Sequence, residues 1–197
     1  MQVSKILIEI RDAKEEDLDP VVDLWEDLAK YHAGLSDEFS LAWDSRRRWS
    51  KYLRLKFGEI STKLVVAVED EKIVGFMLCM LSPNYPIFKE RKIGLISDVY
   101  VLEVRRRKGV AKMMLDVAVK WFRKNKVRSI HLSAAAANPE GQEAWKQLGF
   151  EPYMVYERLD VEKYKGTEGR KVTRVTRKRK VKRKSLTQRI RLRRGPS

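Results

Sequence analysis

Asp98, Val99, Tyr100 and Val101 close an apolar, β-branched stretch and lead into a basic turn at residues 103–108, after which Gly109 opens an amphipathic segment over residues 110–125. A turn that feeds a helix N-terminus leaves the first backbone N–H groups unpaired and aimed at one point, where the helix dipole favours an anion. Gly109 lacks the side chain that would hold a ligand off the backbone, and Arg106, Arg107 and Lys108 surround the point with positive charge. Residue chemistry alone reads this as a phosphate or pyrophosphate cradle, with an ordinary basic turn as the alternative. A P-loop would need Gly-Lys-Ser/Thr, and a dinucleotide fold would need Gly-x-Gly-x-x-Gly; neither is present here. Asp98 is a carboxylate inside an apolar strand. Desolvation there raises a carboxyl pKa toward the range useful to a general base, although a strand-edge or ion-paired carboxylate is equally consistent with the pattern.

The elements that must position these residues follow from periodicity. Ile6, Ile8 and Ile10 alternate as in a half-buried strand. Asp12, Glu15, Glu16 and Asp17 suit a helix start, and Val21, Leu24, Trp25 and Leu28 carry that helix to about Tyr31. A second helix is expected over about 41–60, with Trp49, Leu53 and Phe57 on one face and Arg47, Lys51 and Arg54 on another. Residues 63–69 and 72–81 read as a hairpin closed by an acidic turn. Pro83 and Pro86 mark a loop, and 93–101 reads as a buried strand. Residues 110–125 form an amphipathic helix through Val110, Met114, Val117, Ala118 and Trp121. A short strand at 129–134, a short helix at 141–148 and a last strand at 152–159 complete the order β-α-α-β-β-β-α-β-α-β. That order implies an α/β (α+β) domain, a mixed sheet covered by helices.

Arg106-x-x-Gly109-x-Ala111 after the Val-Tyr-Val strand resembles the acyl-CoA signature of the Gcn5-related N-acetyltransferase (GNAT) superfamily. Asn138 followed by Trp145-Lys-Gln-Leu-Gly149-Phe150 is similar to the family's second element, Asn…Tyr-x-x-Leu-Gly-Phe. The resemblance implies the GNAT-like fold, with central strands 93–101 and 129–134 splayed apart, and acetyl-CoA as cofactor. Backbone groups across Arg107, Lys108, Gly109, Val110, Ala111 and Lys112 would hold the pyrophosphate. Val99 and Val101 would pair through their main chains with the pantetheine arm, and Asn138, also a natural helix cap, would bond that arm. An N–H near Val99 would stabilise the oxyanion formed on attack, and Asp98 would take the amine proton. The family's Tyr, which protonates the departing thiolate, is replaced here by Trp145, whose indole cannot donate a proton at neutral pH. The role passes to water, Tyr100 or Tyr153, or is absent. In the last case the chain is a catalytically weak or inactive RNA- or ribosome-binding factor. The first two helices would shape the acceptor entrance, where Tyr31, His32, Asp37 and Glu38 could meet an amine.

Charge divides the 197 residues. Of 43 Lys+Arg and 27 Asp+Glu, fifteen cations and one acid follow Tyr164, a balance of +14 within the total of +16. The chain therefore reads as a domain over residues 1–164 and a polybasic tail, disordered by itself, over 165–197. Arg177, Lys178, Arg179, Lys180, Lys182, Arg183, Lys184, Arg189, Arg191, Arg193 and Arg194 are expected to bind nucleic acid through phosphates, with structured RNA or the ribosome favoured. One cysteine, Cys79, allows neither an internal disulfide nor a metal-ligand cluster and suits a reducing, cytoplasmic setting. No run reaches the roughly 18 apolar residues of a membrane span, and no signal peptide is evident. Composition is silent on oligomeric state.

Overall fold

A computed structural model describes residues 7–165. Ile6 and the basic residues Arg177 to Arg194 lie outside the described residues. The chain divides after Pro152, and the preceding unit carries every strand and helix among the described residues. These are β1 (Glu9–Asp12), α1 (Leu18–Leu35), α2 (Ser45–Lys56), β2 (Thr62–Glu69), β3 (Lys72–Pro83), β4 (Lys92–Val101), α3 (Val110–Lys124), β5 (Ile130–His131) and α4 (Pro139–Gln147).

The five strands lie side by side in chain order. β1 to β4 are antiparallel neighbours, and β5 runs parallel to β4, giving the expected mixed sheet. β2 and β3 are buried on both faces, and their side chains sort by the two-residue period of a strand. Val65, Ala67, Met77 and Cys79 point toward α3, where Val110, Met114, Ala118 and Phe122 meet them. Leu64, Val66, Phe76 and Leu78 face Leu18, Val21, Val22 and Leu24 of α1 and Leu53 of α2. Gly94 permits the close approach of α3, because a Cβ there would lie 2.7 Å from the Phe122 ring. Cys79 is fully buried, and burial pushes its thiol up to about 12, so it remains a protonated packing residue at neutral pH.

Several boundaries differ from the periodicity. The acids Glu15, Glu16 and Asp17 form a 3-10 turn, not the first turn of α1. Asp17 is instead consumed by tertiary contacts: it accepts from Arg11 Nη1 at 2.6 Å and Nη2 at 3.0 Å, and from the Lys14 N–H at 2.7 Å. α1 continues to Leu35 and so carries His32 on its last turn. α2 is shorter than expected. Its start is set by the nearly buried Asp44, paired with Arg47 and Arg48 at 2.6 Å each, and its end by Phe57, whose backbone turns extended. The hairpin turn is Asp70-Glu71, both with positive φ (46° and 63°), as a two-residue turn between right-twisted strands requires. The strand expected over 152–159 does not form. Tyr153, Val155 and Tyr156 are all largely exposed, so these apolar residues gain little burial, and the segment pairs with no strand among the described residues.

Candidate active site

The site begins where the sheet comes apart. β4 and β5 pair only at Gly94–Ile130 and Leu95–His131. The strand expected over 129–134 thus shortens to two residues. Beyond that point Ile96–Val101 and 132–135 diverge as the two walls of a cleft of about 950 Å³. On its other edge β4 is fixed to β3, with Val99 opposite Met77 and Tyr100 opposite Phe76. The register slips between Leu78 and Cys79, where Asp98 and Ile96 are the successive partners, leaving Ser97 as an extra residue. Such a bulge re-aims the side chains after it. Ser97 is exposed, its hydroxyl donates to Asp98 Oδ2 at 2.5 Å, and Asp98 lines the cleft.

Asp98 sits half-buried near Trp25 and His32 of α1. Burial raises its pKa, while hydrogen bonds from Ser97 and the Trp25 indole and the field of His32 oppose the rise. Trp25 is itself locked by stacking on Trp49 at 4.7 Å with 9° between planes, and Trp49 leans on core residue Phe76 at 6.0 Å. An aromatic column thus runs from the core to the carboxylate. His32, whose ring lies 5.8 Å from both Tyr31 and Phe39, also lines the cleft. Burial lowers its pKa, and the charge of Asp98 only partly restores it.

At the C-terminal end of β4, a 3-10 turn over Glu103–Arg105 leads to Arg107 (φ 58°) and Gly109 (φ 80°), the latter capping α3. α3 carries no acid in its first turn and no side-chain cap. Its first N–H groups are therefore available to a ligand, and a Cβ at Gly109 would meet no atom within 4 Å. Arg106 is fixed in place: its Nε donates to the Val101 carbonyl at 3.1 Å, and its guanidinium lies 5.9 Å from the Tyr31 ring centre and 5.5 Å from that of Tyr100. Arg105 donates to the buried Glu69 at 2.6 Å and ties the turn to the end of β2.

The structure brings most of the expected residues to this one cleft. Asp98, Val99, Tyr100, Val101, Arg106, Arg107, Gly109, Val110, Ala111, Lys112, Asn138 and Trp145 all line it. Lys108 is exposed beside it and is not a lining residue. Tyr153 falls after the division at Pro152 and is 69% exposed. Asn138 caps α4 by accepting from the Gly141 N–H at 2.9 Å, and it also accepts from the Tyr31 hydroxyl at 3.2 Å. Trp145 packs edge-on against Phe150 at 5.3 Å and joins the α3-side core, a wall residue rather than a proton donor.

Of the basic face of α2, Arg47 is spent on Asp44 and Arg54 on Asp19. Trp25, Phe39 and Arg105 were not singled out from sequence as site residues, whereas the wall at 132–135 largely matches the strand 129–134 that was expected to splay from 93–101. Only Trp25 carried a signal, a polar indole on the buried face of α1, one helical face with His32.

The family model described as the acetyltransferase (GNAT) family matches residues 23–150. An uncharacterised N-acetyltransferase of Archaeoglobus fulgidus is 27% identical over 114 residues, which span 58% of this chain and 73% of that protein. A Bacillus halodurans protein superposes with a TM-score of 0.68 at 21% identity, covering 78% of this chain and 99% of that one. A predicted acetyltransferase from Clostridium acetobutylicum, solved with acetyl-CoA, gives 0.66 at 19% identity over 81% and 99%. At these identities the solved structures are evidence of a shared fold.

Proposed function

Because the chain belongs to the acetyltransferase (GNAT) family, we propose that it transfers an acetyl group from acetyl-CoA to a primary amine, with the cleft between β4 and β5 as its active site. The observation that carries this reading is the convergence of an open strand edge, an uncapped helix N-terminus and a desolvated carboxylate on one cavity.

Acetyl-CoA supplies the acetyl group as an activated thioester. The residues present fit it. The N–H groups from Arg107 to Lys112 offer an anion site beside open space at Gly109, and the free edge of β4 at Val99 and Val101 offers main-chain partners to an extended arm. Asn138 adds a side-chain amide on the opposite wall. The main-chain N–H near Val99 stabilises the negative charge that develops on the carbonyl oxygen during attack. Asp98 takes the proton of the attacking amine, directly or through water, and its raised pKa makes it a better base than a free aspartate. Trp145 cannot protonate the departing sulfur, so water or Tyr100, a cleft-lining residue, supplies that proton.

The polybasic residues 165–197, with a balance of +14, address the enzyme to a nucleoprotein, and the acceptor is a protein amine there. The sequence supports this part through charge alone. The test is incubation with acetyl-labelled CoA and a fraction containing ribosomes, using the full chain and a chain ending at Tyr164. Label in protein from the full chain is expected. The shortened chain should still acetylate a free small amine but no longer co-sediment with ribosomes. Failure of the full chain to co-sediment would remove the nucleoprotein reading, and absence of transfer to any amine would remove the enzymatic one.

A further inference from the structure

The acceptor half of the cleft is built from α1 and the loop that follows it. Trp25, Tyr31, His32, Phe39 and Leu41 line it, with Asp98 at its base. The wall ends in an apolar lip, with Phe39 40% and Leu41 41% exposed. Two apolar side chains left partly in water on the cleft wall make a surface suited to a partner's apolar body.

The charges around this half limit what can enter. Anionic acceptors find the arginines of the neighbouring helix already paired, Arg46 with Asp23 and Glu26, Arg47 and Arg48 with Asp44, and Arg54 with Asp19, which leaves the exposed Lys51 as the cation of that face outside these pairs. Polycationic acceptors meet a different obstacle. The rings of Tyr31 and Tyr100 already face the Arg106 guanidinium, at 5.9 and 5.5 Å. That contact uses the aromatic attraction a second ammonium would need and places a fixed positive charge beside it. Asp98 is the carboxylate of the sheet and α1 walls, while Glu140 and Glu143 line the cleft from α4.

From a carboxylate between the sheet and α1, an aromatic wall, an apolar lip and a resident cation, we infer that the acceptor is a single primary amine carried on an apolar or aromatic body. This inference rests on the acetyltransferase reading of the same cleft. The ammonium is drawn to Asp98, gives up its proton there, and becomes the neutral nucleophile, while the body lies on Phe39 and Leu41. A peptide α-amine behind a large apolar first residue has this form, as does a simple arylalkylamine.

The test is a rate comparison on the full chain with acetyl-CoA and four acceptors: 2-phenylethylamine, a short peptide beginning with phenylalanine, spermidine and kanamycin. The two apolar monoamines are expected to exceed the two polycations in kcat/KM by tenfold or more, roughly the discrimination an apolar pocket supplies. Phe39→Ala should narrow the ratio of 2-phenylethylamine to ethylamine mainly through KM, with acetyl-CoA binding by calorimetry showing that the variant is folded. Equal or faster transfer to spermidine or kanamycin would overturn the inference and leave the acetyltransferase reading standing. An unchanged ratio in Phe39→Ala would also overturn it. Transfer to none of the acceptors would count against that reading itself.

Discussion

Asp98 combines two requirements that usually conflict, a raised pKa and a fixed orientation. Burial raises the pKa, and the Ser97 hydroxyl and Trp25 indole hold the carboxylate in place while pulling the pKa partly back. Trp25 is thus a positioning residue. Trp25→Phe retains a ring to stack on Trp49 but loses the N–H donor, so the carboxyl pKa should rise further. The acid limb of kcat/KM is expected to move to higher pH. A loss of rate with no movement of that limb would show that Trp25 matters only for packing. At this scale the sequence identified Asp98 and the Arg106–Ala111 turn, because a carboxylate in an apolar strand and a glycine before a helix are visible locally. It could not identify Phe39 or the Tyr31–Asn138 hydrogen bond, which joins residues 107 positions apart.

Among the elements, the bulge in β4 and the brevity of β5 do most to create the site. The strand periodicity over 93–101 was legible, but neither the slip at Ser97 nor the end of pairing at Leu95 was, since both depend on partner strands. The acids before α1 illustrate the same limit. Asp17 resembles a helix-dipole residue by position, yet it serves as the anchor for Arg11. Arg11 holds its carboxyl below the usual range, against the cost of burial. A depressed folded-state pKa contributes stability that is complete above the unfolded value, near 4, and is lost as pH falls through the folded value. Asp17→Asn, which leaves Arg11 without its ion pair in a 23%-exposed position, should cost about 2–4 kcal/mol at pH 7 in chemical denaturation. That difference should shrink below about pH 4. A pH-independent difference would mean the residue acts through its backbone contact to Lys14.

For the whole molecule, a nearly neutral domain with an acetyltransferase fold precedes a segment that carries most of the net charge. The two differ in their expected salt response. Association with a phosphate backbone should weaken steeply as salt rises, whereas acetyl transfer to a neutral-bodied small amine should change little. The domain's strand order and family were legible because two spaced motifs and a long helical period lie within it. The strand expected over 152–159 was misread, because alternation alone does not show whether a sheet edge is there to receive it.

The central claim is that the cleft between β4 and β5 moves an acetyl group using Asp98 as the base. The most direct measurement is kcat/KM for labelled acetyl transfer to 2-phenylethylamine, followed over pH in the native chain and in Asp98→Asn. The native chain should lose activity as pH falls through a pKa above that of free aspartate. The variant should be slower by about 10²–10⁴-fold and lack that limb, while still binding acetyl-CoA. A variant with the native rate and the same pH profile would contradict the claim.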